Sequence, residues 1–418
     1  MTEPLRIAIV GGSIAGCTLA NGLLKYKHIT FDVFESKDSF RERGAAIAMH
    51  TNALAALRCM GMEPDRILKD GHGNKRDSLR TIAGVGDHKG EHFLETIDGP
   101  WGIGRQQLLE ELVKPLPKQR LHCNKKLVSI TENDTGPLVL HFADGSIHVA
   151  DAVLGCDGYR SRVREIILGK DHAAAEPVFA GFWDARGLIP TEQAVKQFGT
   201  NIIDPRDSAL SAVVGNNCFT LSGQIDSGKM YFITVSGSAP KDWDETAWKT
   251  ELKREHLERT YAGWDEQFRT GVIDCIMTSG PGVVFNQWES QPAPTYFRNR
   301  ICMLGDAAHA TSNWLGQGAA MAIEDCMVLS KLFELVKHKE DLIIVFKAFD
   351  RTRRAARPDM IIEQSRLLGQ ILTGQKGLDP AAVQQYDMQR RRLEILNYDV
   401  TIEIRKALES FHHFKSNS

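Results

Sequence analysis

RIAIVGGSIAGCTLANGLLKYKHITFDVFE, residues 6–35, is the stretch that decides the fold. Ile7–Val10 is a short apolar run of the kind that forms a buried strand. Gly11, Gly12 and Gly16 punctuate the turn that follows, and Cys17–Lys25 carries apolar residues at helical spacing. Ile29–Phe34 is a second β-branched and aromatic run, and it ends on the acid Glu35. Strand, glycine turn, helix and strand, with an acid about 20 residues past the turn, make a βαβ unit of the dinucleotide-binding kind. Gly11 permits the tight turn, the lack of bulk lets backbone N–H groups approach a pyrophosphate, and the helix N-terminus favours its negative charge. The acid accepts hydrogen bonds from a ribose. Ser13 stands where the Gly11-x-Ser13-x-x-Gly16 pattern has its middle glycine; it is small, and its hydroxyl adds a donor for a phosphate. Taken alone, the pattern also fits an ordinary buried β-turn-α, so the rest of the chain must decide.

The 418 residues are enough for two or three domains' worth of core, or for one intertwined α/β unit. A formal net charge of −2 gives no electrostatic reason to expect nucleic acid or an anionic membrane as partner. The first strand begins almost at once, which predicts no signal peptide, and no apolar run approaches bilayer length. The eight cysteines, at 17, 59, 123, 156, 218, 275, 302 and 326, are scattered without a C-x-x-C pair. They read as small buried residues in a reducing compartment, the cytosol, and not as a disulfide framework or a metal site.

Further along, Gly44–Met49 and Ala152–Leu154 read as strands, and Asn52–Met60 and Gln106–Val113 as helices. Glu63–Gly99 is polar and glycine-rich, with strand-like patches in no evident order. Leu121–Ile130, Leu138–Phe142 and Ser146–Val149 read as strands, separated by turn signals at Asn133-Asp134 and Asp144-Gly145. From about 176 the character changes. Phe179–Leu188, Ala212–Ser222 and Lys229–Ser236 suggest an antiparallel sheet, followed by a helix over Glu245–Ala262. Ile301–Leu304 returns to a buried strand, Ala319–Val336 is a long helix, and Leu342–Leu372 and Pro380–Phe414 read as mostly helical. The expected architecture is α/β with α+β insertions: a Rossmann-like nucleotide domain built from 1–75, 100–175 and 291–372, an inserted antiparallel substrate sheet from 76–99 and 176–290, and a C-terminal helical segment over 373–418.

Two more stretches bear on function. Asp157-Gly158-Tyr159-Arg160-Ser161-Arg162-Val163-Arg164 follows a strand directly. Leu304-Gly305-Asp306-Ala307-Ala308-His309 is followed by Leu315-Gly316-Gln317-Gly318-Ala319-Ala320 and by Ile323-Glu324-Asp325. With the Gly11–Gly16 fingerprint, and in the same order, these resemble the three signatures of the single-component FAD-dependent aromatic hydroxylases, the p-hydroxybenzoate hydroxylase fold, and most closely their salicylate hydroxylase-like branch. The resemblance extends to about residue 370.

The resemblance implies that Gly11, Ser13 and Gly16 cradle the FAD pyrophosphate and that Glu35 holds the adenosine ribose. It places Ala46 along the flavin, Arg105 at the ribityl and phosphate region, Asp157 in a motif shared by FAD and NAD(P)H binding, and Asp306 on the ribityl chain. Gly318 and Ala319 would open a helix toward the pyrimidine edge of the flavin, where a helix N-terminus also suits the negative charge of the reduced ring. Bland roles stand beside these: turn or capping for Asp157 and Asp306, a surface ion pair for Arg105, core filling for Ala46. Ser161, Arg162 and Arg164 read as structural, and His309 as a satisfied polar residue. The implied reaction has NADPH or NADH reduce FAD, O₂ add at flavin C4a, and the resulting hydroperoxide hydroxylate a small aromatic ring such as a phenol or hydroxybenzoate. A cytoplasmic monomer or homodimer is expected, with no metal.

An activated phenol needs its proton shared or removed. The candidates are His50, just after the Gly44–Met49 strand, then Arg186, whose guanidinium suits a carboxylate or phenolate, and Tyr231. Two departures from the family pattern concern the substrate: Asn313, within Ser312-Asn313-Trp314, stands at a common proline position, and Cys218–Ser222 lacks the tyrosine many relatives carry. Epoxidation, Baeyer–Villiger-type oxidation or xenobiotic inactivation on the same scaffold is the alternative chemistry. A non-catalytic FAD-binding sensor is the alternative of a different class.

Overall fold

The computed structural model describes residues 3–41, 46–97, 99–132, 136–354, 357–375, 384–386 and 394–417. The Asn133-Asp134 turn signal, Gly44 and Ala45 of the expected strand, and residues 380–383 and 387–393 of the expected helical stretch Pro380–Phe414 lie outside the described residues. Leu5–Val10 lies inside a six-stranded sheet, flanked by Ile29–Phe34 on one side and Ala152–Gly155 on the other, both parallel to it. Ile301–Met303 extends the sheet in parallel, and the short Phe297–Arg298 closes that edge in the antiparallel sense. Ile7, Ala8, Ile9 and Val10 are buried without alternation, as strands covered on both faces must be. Helix Ile14–Leu23 packs on helix Gly318–Phe333, and the Ser330 hydroxyl donates to Gly22 O at 2.9 Å where the two backbones come close.

The second large sheet has eight strands: 249–251, 283–289, 178–190, 230–238, 218–225, 210–214, 78–83 and 92–97. Its pairings are antiparallel except that Leu210–Val214 runs parallel to Ser78–Ala83. Both faces are covered. Trp183, Ala185, Ile233 and Val235 turn to a core shared with helices Thr191–Phe198, Arg254–Thr260 and Glu266–Ser279. Phe182, Ala212, Phe219 and Phe232 turn the other way, toward Trp314 and Leu368. A smaller sheet joins Ala46–Met49, Trp101–Gly104 and Asn74–Lys75.

Three sequence expectations need correction. Leu121–Ile130 is not one strand but two: Leu121–His122 edges the six-stranded sheet, and Leu127–Thr131 belongs to a separate three-stranded antiparallel sheet. Ala212–Ser222 is not one strand but a hairpin, Leu210–Val214 and Cys218–Ile225, turning at Asn217 with φ 64°. Glu245–Ala262 is not one helix: Lys249–Glu251 pairs with Val283–Glu289, and the helix covers only Arg254–Thr260. The C-terminal helix Thr401–Ser416 packs on Asp341–Arg353 and Gly318–Phe333, and its Ala407 and Phe411 enter the same core as the nucleotide-binding sheet.

Candidate active site

The glycine turn is shaped by close backbone approach. A Cβ on Gly11, whose φ is +107°, would lie 2.2 Å from Cys156 O, and one on Gly16 would lie 1.9 Å from Gly11 O. Neither position admits a side chain. Glu35 is buried beneath this turn, its carboxylate accepting from Gly12 N and Lys37 N at 2.9 Å each and from Ser36 Oγ at 3.1 Å. Asp157 accepts from Ser161 Oγ and Val163 N, and Ser161 Oγ accepts from Arg164 N at 2.8 Å as N-cap of helix Arg162–Leu168. Asp157 therefore fills the capping role open to it, and burial pushes its carboxyl upward. Arg164 is a buried staple, donating to the carbonyls of Ala174, Gln291, Ala307 and Ala308, and burial lowers it to about 10.

A cleft of about 1230 Å³ runs from Gly11 and Glu35 past Asp157 to Trp248 and Phe285. A second space of about 360 Å³ lies between the eight-stranded sheet and the Ala46–Met49 strand. Ser13, Arg105, Arg186, Asp306, Thr311 and Asn313 border both, so the two adjoin along these residues. Ala46, His50, Gly318 and Ala319 line the inner space. His50 is buried at the N-cap of helix Thr51–Cys59. Thus Arg105, Asp306, Ala46, Gly318, Ala319, His50 and Arg186, scattered in sequence, meet on one continuous surface.

Tyr231 does not join them. Along Met230–Ser238, Phe232, Thr234 and Ser236 line the cavity, so Tyr231 points to the opposite face of the sheet. There it is buried against Phe198, its hydroxyl 3.0 Å from Ser222 Oγ, and burial pushes its pKa well up. His309 is buried too, with Nε2 2.6 Å from Asp325 Oδ2, and it lines neither space.

The sequence reading missed Asp184. It is 3% exposed, and it gathers Ser236 Oγ at 2.6 Å, Gln287 Nε2 at 2.8 Å, Asn313 Nδ2 at 2.6 Å and Arg186 Nη2 at 3.3 Å. Asn313, the departure noted in the sequence, is thereby tied to the strand that carries Arg186. Trp314 packs edge-on to Phe182 at 4.9 Å in the cavity wall. Also missed is a buried ion cluster behind Gly318. Arg353 pairs with Glu324, Asp325 and Glu403, and Arg357 with Glu324. Asp325 in turn accepts from Gly305 N at 2.8 Å, next to Asp306.

The polar equipment of this surface suits an extended anionic cofactor. The N-termini of helices Ile14–Leu23 and Gly318–Phe333 both border it, and Thr311 Oγ1, buried in the wall common to both spaces, has no hydrogen-bond partner among the described residues. Among the described residues no group of three or more His, Cys, Asp or Glu is placed to hold a metal ion, and no helix is long and apolar enough to cross a membrane. All eight cysteines are free thiols.

A dinucleotide turn opening onto a covered cavity defines a class of flavoprotein, and comparison with known proteins agrees. Residues 5–357 match the family model described as the FAD binding domain, and the chain belongs to that family. Within it the protein is an FAD-dependent monooxygenase of the salicylate hydroxylase type. It is similar to the FAD-dependent monooxygenase pigN of Monascus ruber, 32% identical over 98% of this chain and 97% of the relative. It is also similar to the salicylate hydroxylase asL1 of Sarocladium schorii, 32% identical over 90% of this chain and 84% of the relative. A solved salicylate hydroxylase substrate complex superposes with a TM-score of 0.82 at 25% identity, covering 97% of this chain and 98% of that one.

Proposed function

We propose that this enzyme hydroxylates a small aromatic substrate, a phenol or hydroxybenzoate-like compound, drawing electrons from NADPH or NADH and the oxygen atom from O₂. The observation that carries the reading is the inner cavity, walled by Leu210, Ala212, Phe219, Leu221 and Phe232, which meets the dinucleotide cleft at Asp306 and Thr311. A mostly apolar space with few polar groups is the form expected of a small-aromatic site. FAD, when bound, supplies the electron transfer and the oxygen insertion.

The chain's own residues supply position and charge. Gly11, Ser13 and Gly16 hold the pyrophosphate against the first helix N-terminus. Glu35 already accepts three hydrogen bonds of the about four a carboxylate takes, which leaves one site for a ribose hydroxyl. Asp306 and Arg105 would hold the ribityl and phosphate portion, and the helix N-terminus at Gly318 and Ala319 would favour negative charge on the ring. Ala46 would lie along the ring, and Asp157 holds the turn through Ser161 and Val163. His50 takes a share of the substrate hydroxyl's proton, which raises the electron density of the ring. Arg186, steadied by Asp184, contacts the polar substituent of the substrate or of the reductant at the junction of the two spaces.

The test is oxidation of NADH and NADPH by the FAD-loaded protein across phenols and hydroxybenzoates, with product mass recorded. Stimulation by one compound, with one oxygen atom gained, is expected. Loss of CO₂ alongside would mark decarboxylative hydroxylation. Tight FAD binding with no stimulation by any aromatic compound would contradict the proposal.

A further inference from the structure

The inner cavity contains a cation that nothing among the described residues neutralises. Arg76 is 1% exposed, yet the only hydrogen bond of its side chain among the described residues runs from Nη2 to the carbonyl of Gln224. Its Nε and Nη1 are buried with no partner. The guanidinium lies in a slot kept open by glycine: a Cβ would come within 2.6 Å of Nη2 at Gly102 and within 3.3 Å at Gly223. Burial lowers Arg76 to about 10. Elsewhere the chain pairs its buried arginines differently: Arg353 and Arg357 with carboxylates, and Arg164 with four carbonyls.

The rest of the lining sharpens the point. Among the described residues of the inner cavity Asp306 is the sole carboxylate, whereas Arg76, Arg105 and Arg186 are all cations. Arg186 is already engaged by Asp184. A buried, unpaired charge is costly and persists where an anion arrives to meet it. Nη2 carries two hydrogens and gives one to Gln224; the other lies beside either the free Nε–H or a free Nη1–H, and either edge of the planar fork matches the two oxygens of a carboxylate.

We infer that Arg76 is the anchor for a substrate carboxylate, so that the enzyme takes an aromatic acid in preference to a neutral phenol. This rests on the aromatic hydroxylase reading and narrows it. The carboxylate meets the free edge of Arg76, and the ring extends along Leu79, Leu210 and Phe219. Arg76 is a specificity-determining residue; it stands apart from the groups proposed for the cofactor.

The experiment compares salicylate and 4-hydroxybenzoate with salicylamide and 4-hydroxybenzamide on FAD-loaded protein, reading the flavin absorbance change and the stimulation of NAD(P)H oxidation. Wild type should favour an acid over its amide by roughly 10- to 100-fold, the range of a charge-assisted hydrogen-bonded pair. Arg76→Met should bring the ratio near one and Arg76→Lys should keep part of it, both with FAD content unchanged. Removing an uncompensated buried charge should leave the melting temperature of ligand-free Arg76→Met at or above that of wild type, and the acid should raise the melting temperature of wild type only. An acid-to-amide ratio that survives Arg76→Met overturns the inference. So does loss of FAD or of folding in that variant, because the guanidinium would then serve the cofactor or the scaffold. Stimulation by neutral phenols with no preference for acids overturns it while sparing the hydroxylase reading; no stimulation by any aromatic compound overturns that reading itself.

Discussion

Arg353→Met removes the centre of the charge cluster behind the Gly318 helix. The guanidinium, fully buried, lies 2.6 Å from Asp325, 3.1 Å from Glu324 and 3.3 Å from Glu403. Methionine fills much of the same volume, so the change is mainly one of charge. Each acid keeps another partner: Glu324 has Arg357, Asp325 has His309, and Glu403 has Tyr398. The cluster nevertheless becomes more negative in a place without water. Breaking a buried pair from one side costs about 3–5 kcal/mol. With an unfolding entropy of roughly 2.1 cal/mol/K per residue over 418 residues, that is a fall in melting temperature of roughly 3–6 °C. Matched thermal scans of the FAD-loaded proteins measure it. Because Asp325 also fixes Gly305 N beside Asp306, FAD retention should fall in parallel. A shift below about 1 °C with full FAD content would refute the reasoning. The acid limb gives a second readout. Burial pushes the Asp325 carboxyl up, but His309 and Arg353 outweigh it and hold it at about 2. A depressed carboxylate contributes stability that is present above its unfolded value near 4 and lost as pH falls from there toward about 2, so that loss should shrink in Arg353→Met.

Three further substitutions separate site from scaffold. Tyr231→Phe deletes one buried hydrogen bond to Ser222, so stability should drop by about 1 kcal/mol in urea titration while turnover stays unchanged; a collapse in turnover would return Tyr231 to the site. His50→Asn should slow aromatic-stimulated turnover by about 100-fold with FAD retained, and a wild-type rate would remove His50 from proton handling. Gly16→Ala puts a methyl 1.9 Å from Gly11 O, which forces the turn apart, and the purified protein should be colourless; a normal flavin spectrum would show that the turn is looser than described.

The nucleotide half was legible because its signals are local. Gly11, Gly16 and Glu35 act within one βαβ unit, and their spacing reports their contacts directly. The middle sheet was harder. Lys229–Ser236 reads as a strand from sequence, but both faces of the observed strand Met230–Ser238 are buried, so its sequence carries no alternation to say that Phe232 faces the cavity and Tyr231 does not. Asp184 escaped notice because its partners come from residues 186, 236, 287 and 313, a long-range assembly on which an acid in an apolar strand is the only hint. Arg76 lies in a glycine-rich stretch without periodicity, where nothing local distinguishes a buried cation from a solvated one. The Glu245–Ala262 error has a related cause: Lys249–Glu251 is a strand only because Val283–Glu289 offers an edge to pair with.

The most direct measurement remains the mass of the product formed by the FAD-loaded enzyme from an aromatic substrate in ¹⁸O₂. The account predicts NAD(P)H oxidation stimulated by that compound and one labelled oxygen atom on the ring. Oxidation with no labelled product, or a protein that holds FAD and answers to no aromatic compound, would contradict it.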